Sequence, residues 1–252
     1  MGRDMVTSVL FDLYGTLLDL RLNEDHPALW QGLAGALEAC GGIVEPPADL
    51  RRRFRQILRE ESRHTQEGFL MEPVFARLLA SVGARPEVAR LGRVFRQLSI
   101  EEMSIRPYVA PLFEALRQTS CRLGIVSNTE AVLTRFDLER WPILLSVDAV
   151  VLSSDVGVRK PDRRIFHLAL DRLHVEAAST VFVGNSLGED IDGARHAGLR
   201  AVHLDEGATD VEPLHGDPSV LRVPPTHDAL TRALRRFGWQ PPFPASSAGT
   251  AS

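Results

Sequence analysis

Apolar residues follow two rhythms along this chain. Val9-Leu10-Phe11 is a short unbroken apolar run, and Ile125-Val126, Val150-Val151-Leu152, Val181-Phe182-Val183 and Ala201-Val202 repeat the pattern. Runs of this length, bounded by polar residues, predict strands buried on both faces, at 7–11, 122–126, 147–153, 180–183 and 200–204. Elsewhere the spacing is helical. Leu29, Leu33 and Leu37, then Leu50, Phe54 and Leu58, then Val74, Leu78 and Leu79 each mark one helix face, with Gly41-Gly42, Pro46-Pro47 and Gly83 as breaks between them. More than a hundred residues separate the first two strands, so 22–103 reads as an inserted helical unit with a small core of its own. From 109 onward the rhythms alternate, with helices at about 109–118, 130–138, 162–173 and 189–197 and a last one at 228–237. Such alternation predicts an α/β fold: a Rossmann-like parallel sheet with helices on both faces, built from 1–21 and 104–238, plus the α-helical insertion. The Pro-, Ser- and Ala-rich end, 239–252, has little to bury and is expected to be a disordered tail.

Composition narrows the function classes. A net charge of −4 gives no general attraction to nucleic acid or to an anionic membrane, so neither is expected as a partner and any anionic ligand must be held locally. No window approaches 18 apolar residues, and Met-Gly-Arg-Asp-Met lacks the apolar core of a signal peptide, so a cytoplasmic location is expected. Cys40 and Cys121 lie far apart in sequence and are expected to be buried free thiols. Monomer and homodimer both remain open.

The chemistry-bearing residues cluster at the carboxyl ends of the predicted strands, where open α/β sheets bind ligands. Asp12 closes the first apolar run and Gly15 permits a tight turn behind it. A carboxylate there can attack phosphorus or an activated carbon to form an ester, and it can equally be a turn residue. Ser127, with Asn128 and Thr129, ends the second strand at a helix start, which suits an anionic oxygen as well as an ordinary cap. Lys160 precedes Pro161 at the rim of a helix, where an ammonium can offset two negative groups brought together. The segment Gly184-Asn185-Ser186-Leu187-Gly188-Glu189-Asp190 offers oxygen ligands for Mg²⁺, and it also reads as a helix cap with Ser186 and Glu189 paired.

In this order and at successive strand ends, these segments resemble the haloacid dehalogenase-like hydrolases, in particular members with a helical cap inserted after the first motif. The resemblance spans about residues 7–204 and implies a hydrolase working through an aspartyl-enzyme intermediate. It makes Asp12 the nucleophile, Ser127 a binder of the transferred group and Lys160 the charge stabiliser. Tyr14, Thr16, Asn128 and the cap residue Arg52 are candidates for substrate binding; Asp12, the Tyr14 carbonyl, Asn185 and Asp190 are candidates for a Mg²⁺ site.

Two positions depart from the phosphatase pattern. Tyr14 stands where phosphatases of the family usually carry a second Asp, and Asn185 stands where their fourth motif usually reads Gly-Asp. The Asp-x-Tyr-Gly-Thr form is similar to 2-haloacid dehalogenases, which need no metal. However, Phe166 replaces the Tyr those enzymes usually place six residues after the lysine. Their halide-binding arginine lies in the cap, where Arg51, Arg52 and Arg53 are candidates and also read as a solvated helix face. Val156 to Asp162 and Asp190 to Ala194 look more like the phosphatase branch. A phosphatase acting on a small anionic, phosphorylated metabolite is therefore the favoured expectation, with a metal-independent dehalogenase and a non-catalytic binding module as alternatives.

Overall fold

β1 (Ser8–Phe11) occupies the centre of the main sheet because every one of its residues is buried, which only an interior strand covered on both faces allows. In the computed structural model, which describes residues 5–64 and 71–241, β1 pairs in parallel with β4 (Arg122–Ser127) on one side and β6 (Thr180–Gly184) on the other. β5 (Ala149–Leu152) extends the sheet beyond β4; β7 (Arg200–Leu204), β9 (Asp217–Val223) and β8 (Glu212–Leu214) extend it beyond β6. Alternate residues face opposite sides of each strand. Val9, Phe11, Ile125 and Val183 thus pack against Leu112 and Phe113 of α5 (Val109–Arg117) and Leu230 and Leu234 of α10 (His227–Arg236). Leu10, Val126, Val151 and Phe182 meet Ile165, Phe166 and Ala169 of α8 (Arg163–Leu173) and Ala194 of the short α9 (Gly193–His196) on the other face.

The inserted helices α1 (Pro27–Ala39), α2 (Pro47–His64), α3 (Met71–Ser81) and α4 (Val88–Ser99) enclose a third apolar cluster around Leu33, Phe54, Phe75, Leu78 and Phe95. Its rings are in contact, with the Phe54 and Phe95 centroids 5.3 Å apart. This cap also packs on the core, because Val132 and Leu133 of α6 (Ala131–Glu139) join its apolar cluster. The approach of α4 to α6 depends on Gly92: a Cβ there would lie 2.7 Å from Val132 Cγ2 and 2.9 Å from the Val132 carbonyl oxygen.

Four strands lie outside the expected elements. β2 (Leu18–Leu22) and β3 (Ile100–Ile105) form an antiparallel ribbon where the chain enters and leaves the cap, so residues 100–103 are strand rather than the end of a helical insertion. Ile100, Met103 and Ile105 are partly buried between exposed Glu101, Glu102 and Ser104, which suits a ribbon edge better than a helix face. β9 continues the parallel order beside β7, and β8 folds back on it antiparallel, adding an edge the alternation did not predict. Short α7 (Ser153–Val156) was also unpredicted.

Trp239 belongs to the core and not to the tail: it is 3% exposed, and its indole N–H donates to Thr119 Oγ1 at 3.0 Å. The rest of the expected tail, from 242 on, lies outside the described residues. Both cysteines are free and buried. Among the described residues no helix is long and apolar enough to cross a membrane.

Candidate active site

The register of the sheet brings the singled-out segments to one edge. Phe11 is opposite both Ile125 and Val183, so Asp12 follows the last paired residue of β1, with Ser127 and Asn185 each two residues past those partners. The Asp12 N–H extends the ladder by donating to the Val183 carbonyl at 2.9 Å. Lys160 reaches this edge from the α7–α8 connection, where its backbone is clamped by one side chain. The Lys160 N–H donates to Asn128 Oδ1 at 2.8 Å, and Asn128 Nδ2 donates to the Lys160 carbonyl at 2.9 Å. Asn128 is therefore placed to aim the lysine, and its amide is committed to that clamp and not to a substrate.

The Lys160 ammonium donates at 2.6 Å to Asp12 Oδ1 and at 2.6 Å to Asp190 Oδ1. All three side chains are at most a tenth exposed. Asp190 is also tied to its own loop, since its Oδ2 accepts the N–H groups of Asn185 at 3.1 Å and Ser186 at 2.9 Å. The nearby turn is capped by Ser186 Oγ, which accepts from the Glu189 N–H at 3.3 Å, so the capping role of this segment and its place at the site coexist. Burial pushes the Asp12 carboxyl above its ordinary value; the charge of Asp190 adds to that push and Lys160 opposes it. For Lys160, burial disfavours the charge, but the two carboxylates outweigh it and hold the ammonium above its usual value.

Gly15 and Thr16 meet the fourth segment directly. Thr16 Oγ1 donates to Asn185 Oδ1 at 3.3 Å, and a Cβ on Gly15, whose φ is +78°, would lie 2.5 Å from Asn185 Nδ2. Thr16 is fully buried, and its carbonyl accepts the Tyr108 hydroxyl, which makes it a support of the first loop. Ser127, 1% exposed, ends β4 beside this loop.

The arrangement agrees with a family model described as haloacid dehalogenase-like hydrolase, which matches residues 6–198. This chain belongs to that family. The hydrolase is 31% identical over 219 residues to the glyceraldehyde 3-phosphate phosphatase of Methanopyrus kandleri, covering 84% of this chain and 90% of the relative. It is 30% identical over 209 residues to the ribulose-1,5-bisphosphate 5-phosphatase of Halopiger xanaduensis, covering 80% and 85%. Its fold superposes with a TM-score of 0.62 on a crystal structure of the 2-haloacid dehalogenase from Pseudomonas syringae pv. Tomato DC3000, at 25% identity and covering 92% of this chain and all of that one.

Within this hydrolase the side chains of two more expected site residues, Arg52 and Tyr14, are bonded away from Asp12. Arg52 is exposed and pairs with Asp49 on its own helix, in a groove lined by Glu45, Arg53 and Gln56, so it belongs to the solvated face of α2. The Tyr14 hydroxyl is bound between the cap and the core: it donates to Asp137 Oδ2 of α6 and accepts from Arg96 Nη2 of α4 at 2.9 Å. Arg96, 5% exposed, is the cap arginine that approaches the nucleophile loop, and neither it nor fully buried Asp137 was singled out from the sequence. The only available signal was an arginine on the apolar Leu91-Phe95 face of α4, which Arg90 and Arg93 nearby obscure.

The donor set also bears on a divalent cation. Among the described residues, no three or more His, Cys, Asp or Glu side chains gather as a metal site. Asp190 is held by Lys160 through Oδ1 and by the Asn185 and Ser186 N–H groups through Oδ2, which leaves one Oδ1 lone pair for a cation or its water. The second oxygen of Asp12, the Tyr14 carbonyl and the free lone pair of Asn185 Oδ1 remain, and carboxylate, carbonyl and amide oxygens fit Mg²⁺ when water and a phosphate complete its shell.

Proposed function

We propose that this hydrolase is a phosphatase acting on a small phosphorylated metabolite in the cytoplasm, with no nucleic acid or membrane as partner. The observation that carries the reading is the buried Asp12–Lys160–Asp190 contact at the sheet edge, in a chain whose two sequence relatives named above are phosphatases matched over 84% and 80% of its length. The Asp12 carboxylate attacks phosphorus, the bond to the leaving oxygen breaks, and that oxygen takes its proton from solvent, because the Tyr14 hydroxyl proton is committed to Asp137. Water then attacks the aspartyl phosphate at phosphorus, releasing phosphate and restoring the Asp12 carboxylate. Lys160 offsets the approach of an anion to an anionic nucleophile, and the Ser127 hydroxyl holds a non-transferring phosphoryl oxygen. Asp12, Asn185 and the Tyr14 carbonyl would hold Mg²⁺, which when bound neutralises phosphoryl charge and orients the group for in-line attack.

A second reading, metal-independent hydrolysis of a 2-haloacid, is favoured by one feature. Tyr14 supplies no leaving-group acid, and halide departure needs none. A paired screen separates the two. Phosphate release from sugar and nucleotide monophosphates is expected with Mg²⁺, and Asp12→Asn should abolish it. Chloride release from 2-chloropropionate that is indifferent to EDTA would instead establish the dehalogenase. Release of neither product, with phosphate still raising the melting temperature, would leave a binding module.

A further inference from the structure

Among the described ion pairs, only those at Lys160 and one other have both side chains at most a tenth exposed, and that other pair joins cap to core. Arg96 of α4 donates through Nε to Asp137 Oδ2 of α6 at 2.7 Å, and its Nη2 lies 2.6 Å from the same oxygen. The Tyr14 hydroxyl donates to that oxygen as well, at 2.5 Å, and accepts from Arg96 Nη2, whose guanidinium also lies 5.4 Å from the Tyr14 ring centre. Asp137 Oδ1 is buried without a partner, so the whole attraction converges on Oδ2. Burial keeps the phenol protonated, with Arg96 opposing that effect and Asp137 adding to it, so the hydroxyl remains a donor.

Tyr14 is two residues from Asp12, and the turn between them is internally tied. The Leu13 carbonyl accepts the Thr16, Leu17 and Leu18 N–H groups, and the Gly15 N–H donates to the Leu18 carbonyl at 2.7 Å. A tied turn moves as a unit, so its orientation depends on its outward contacts. One is Asn185, met by Gly15 and Thr16; another is the phenol of Tyr14. The partner of that phenol is held in place by the close α4–α6 approach at Gly92; Arg93 with Glu139, at 2.7 Å, is a separate pair on the exposed flank of the same two helices.

We propose that Arg96 is a positioning residue of the reaction: acting through Tyr14, it fixes the turn that presents Asp12 to Lys160, so the cap orients the nucleophile without touching the substrate. The proposal rests on the reading of Asp12 as nucleophile. In this role Arg96 affects the geometry of attack more than ground-state binding. Misplacement of a reacting group by about 1 Å costs on the order of 10²-fold in rate.

The test uses the full chain as wild type, Arg96→Met, Arg96→Lys, Tyr14→Phe, the Arg96→Met/Tyr14→Phe double variant, and Arg93→Ala as a control on the same helix pair. With the substrate found in the paired screen, Arg96→Met and Tyr14→Phe should each lower kcat by roughly 10- to 100-fold with KM changed less than about threefold. The double variant should be no worse than the worse single one, Arg96→Lys should recover part of the loss, and Arg93→Ala should leave kcat unchanged. Amide hydrogen exchange over residues 13–18 reads the tether without turnover. It should quicken by roughly tenfold in Arg96→Met and Tyr14→Phe, and not in Arg93→Ala. If the wild type releases neither phosphate nor halide, the proposed function has failed while the exchange measurement still decides the tether. Unchanged exchange, additive losses, or a loss confined to KM would overturn the positioning role. Tyr14→Phe removes one oxygen and leaves the ion pair intact, so it carries the test if Arg96→Met does not fold.

Discussion

Replacing Lys160 with Met is the most demanding test of the site's electrostatics. The ammonium sits 2.6 Å from each of two carboxylate oxygens, and all three side chains are at most a tenth exposed, so water cannot take over its role. Methionine nearly preserves the length of the side chain and removes only the charge and its donors. Leaving a buried charge uncompensated in this way costs about 3–5 kcal/mol. For a chain of this size that corresponds to a fall in Tm on the order of 10 °C. The pH dependence gives the sharper signature. Asp12 is already held above its ordinary value by burial and by Asp190, and losing Lys160, which opposes them, raises it further. A carboxyl whose folded value exceeds its unfolded one destabilises the fold once pH rises above the unfolded value, and the penalty grows until the folded value is passed. The gap in Tm between variant and wild type, followed by calorimetry in EDTA, should therefore narrow as pH falls from 8 toward 5. A gap below about 2 °C at pH 8, or one that does not change with pH, would refute the view that this lysine balances two buried anions.

What the sequence made legible follows from the range of the interactions involved. The five central strands and their helices were readable because each is recorded locally, as an apolar run such as Val181-Phe182-Val183 or a helical stripe such as Leu29-Leu33-Leu37. Asp12, Lys160 and Asp190 were readable because each lies at a strand or helix end with a recognisable neighbourhood. Their roles were less accessible: Asp190 reads only as a metal ligand until the bonds from Lys160 and from the Asn185 and Ser186 N–H groups show it holding the lysine and its own loop as well. Asn128 likewise reads as an anion binder until its amide is seen to clamp the Lys160 backbone. β2 and β3 lie on either side of the cap and specify each other only by pairing, so neither has a strong local pattern. Arg96 and Asp137 were illegible for the same reason. Each is one charge among many on a helix, and only the α4–α6 contact makes them a buried pair.

Three further outcomes follow. Cys121, whose thiol burial pushes up to about 12, and buried Cys40 should resist iodoacetamide in the native protein and react after unfolding; alkylation of Cys121 in the native state, read by mass spectrometry, would contradict the packing of β4 against α5. Gly15→Ala should lose about 1–2 kcal/mol in urea unfolding, because φ at +78° is left-handed and the added methyl would meet Asn185 Nδ2 at 2.5 Å. Turnover should fall as well, since the same clash pushes the Asp12 turn away from the fourth segment. Asn185→Asp tests whether this segment holds a cation, because it adds a carboxylate against the Asp12 loop at a site where Lys160 already offsets Asp12 and Asp190. For a phosphatase, the Mg²⁺ concentration giving half-maximal activity should drop by roughly tenfold, the gain expected from one extra anionic ligand to a hard cation. The added charge also faces Asp12, so without Mg²⁺ the variant should melt below the wild type and saturating Mg²⁺ should reverse that order. An unchanged Mg²⁺ requirement together with a melting temperature indifferent to Mg²⁺ would place the cation elsewhere and shift the balance toward halide displacement.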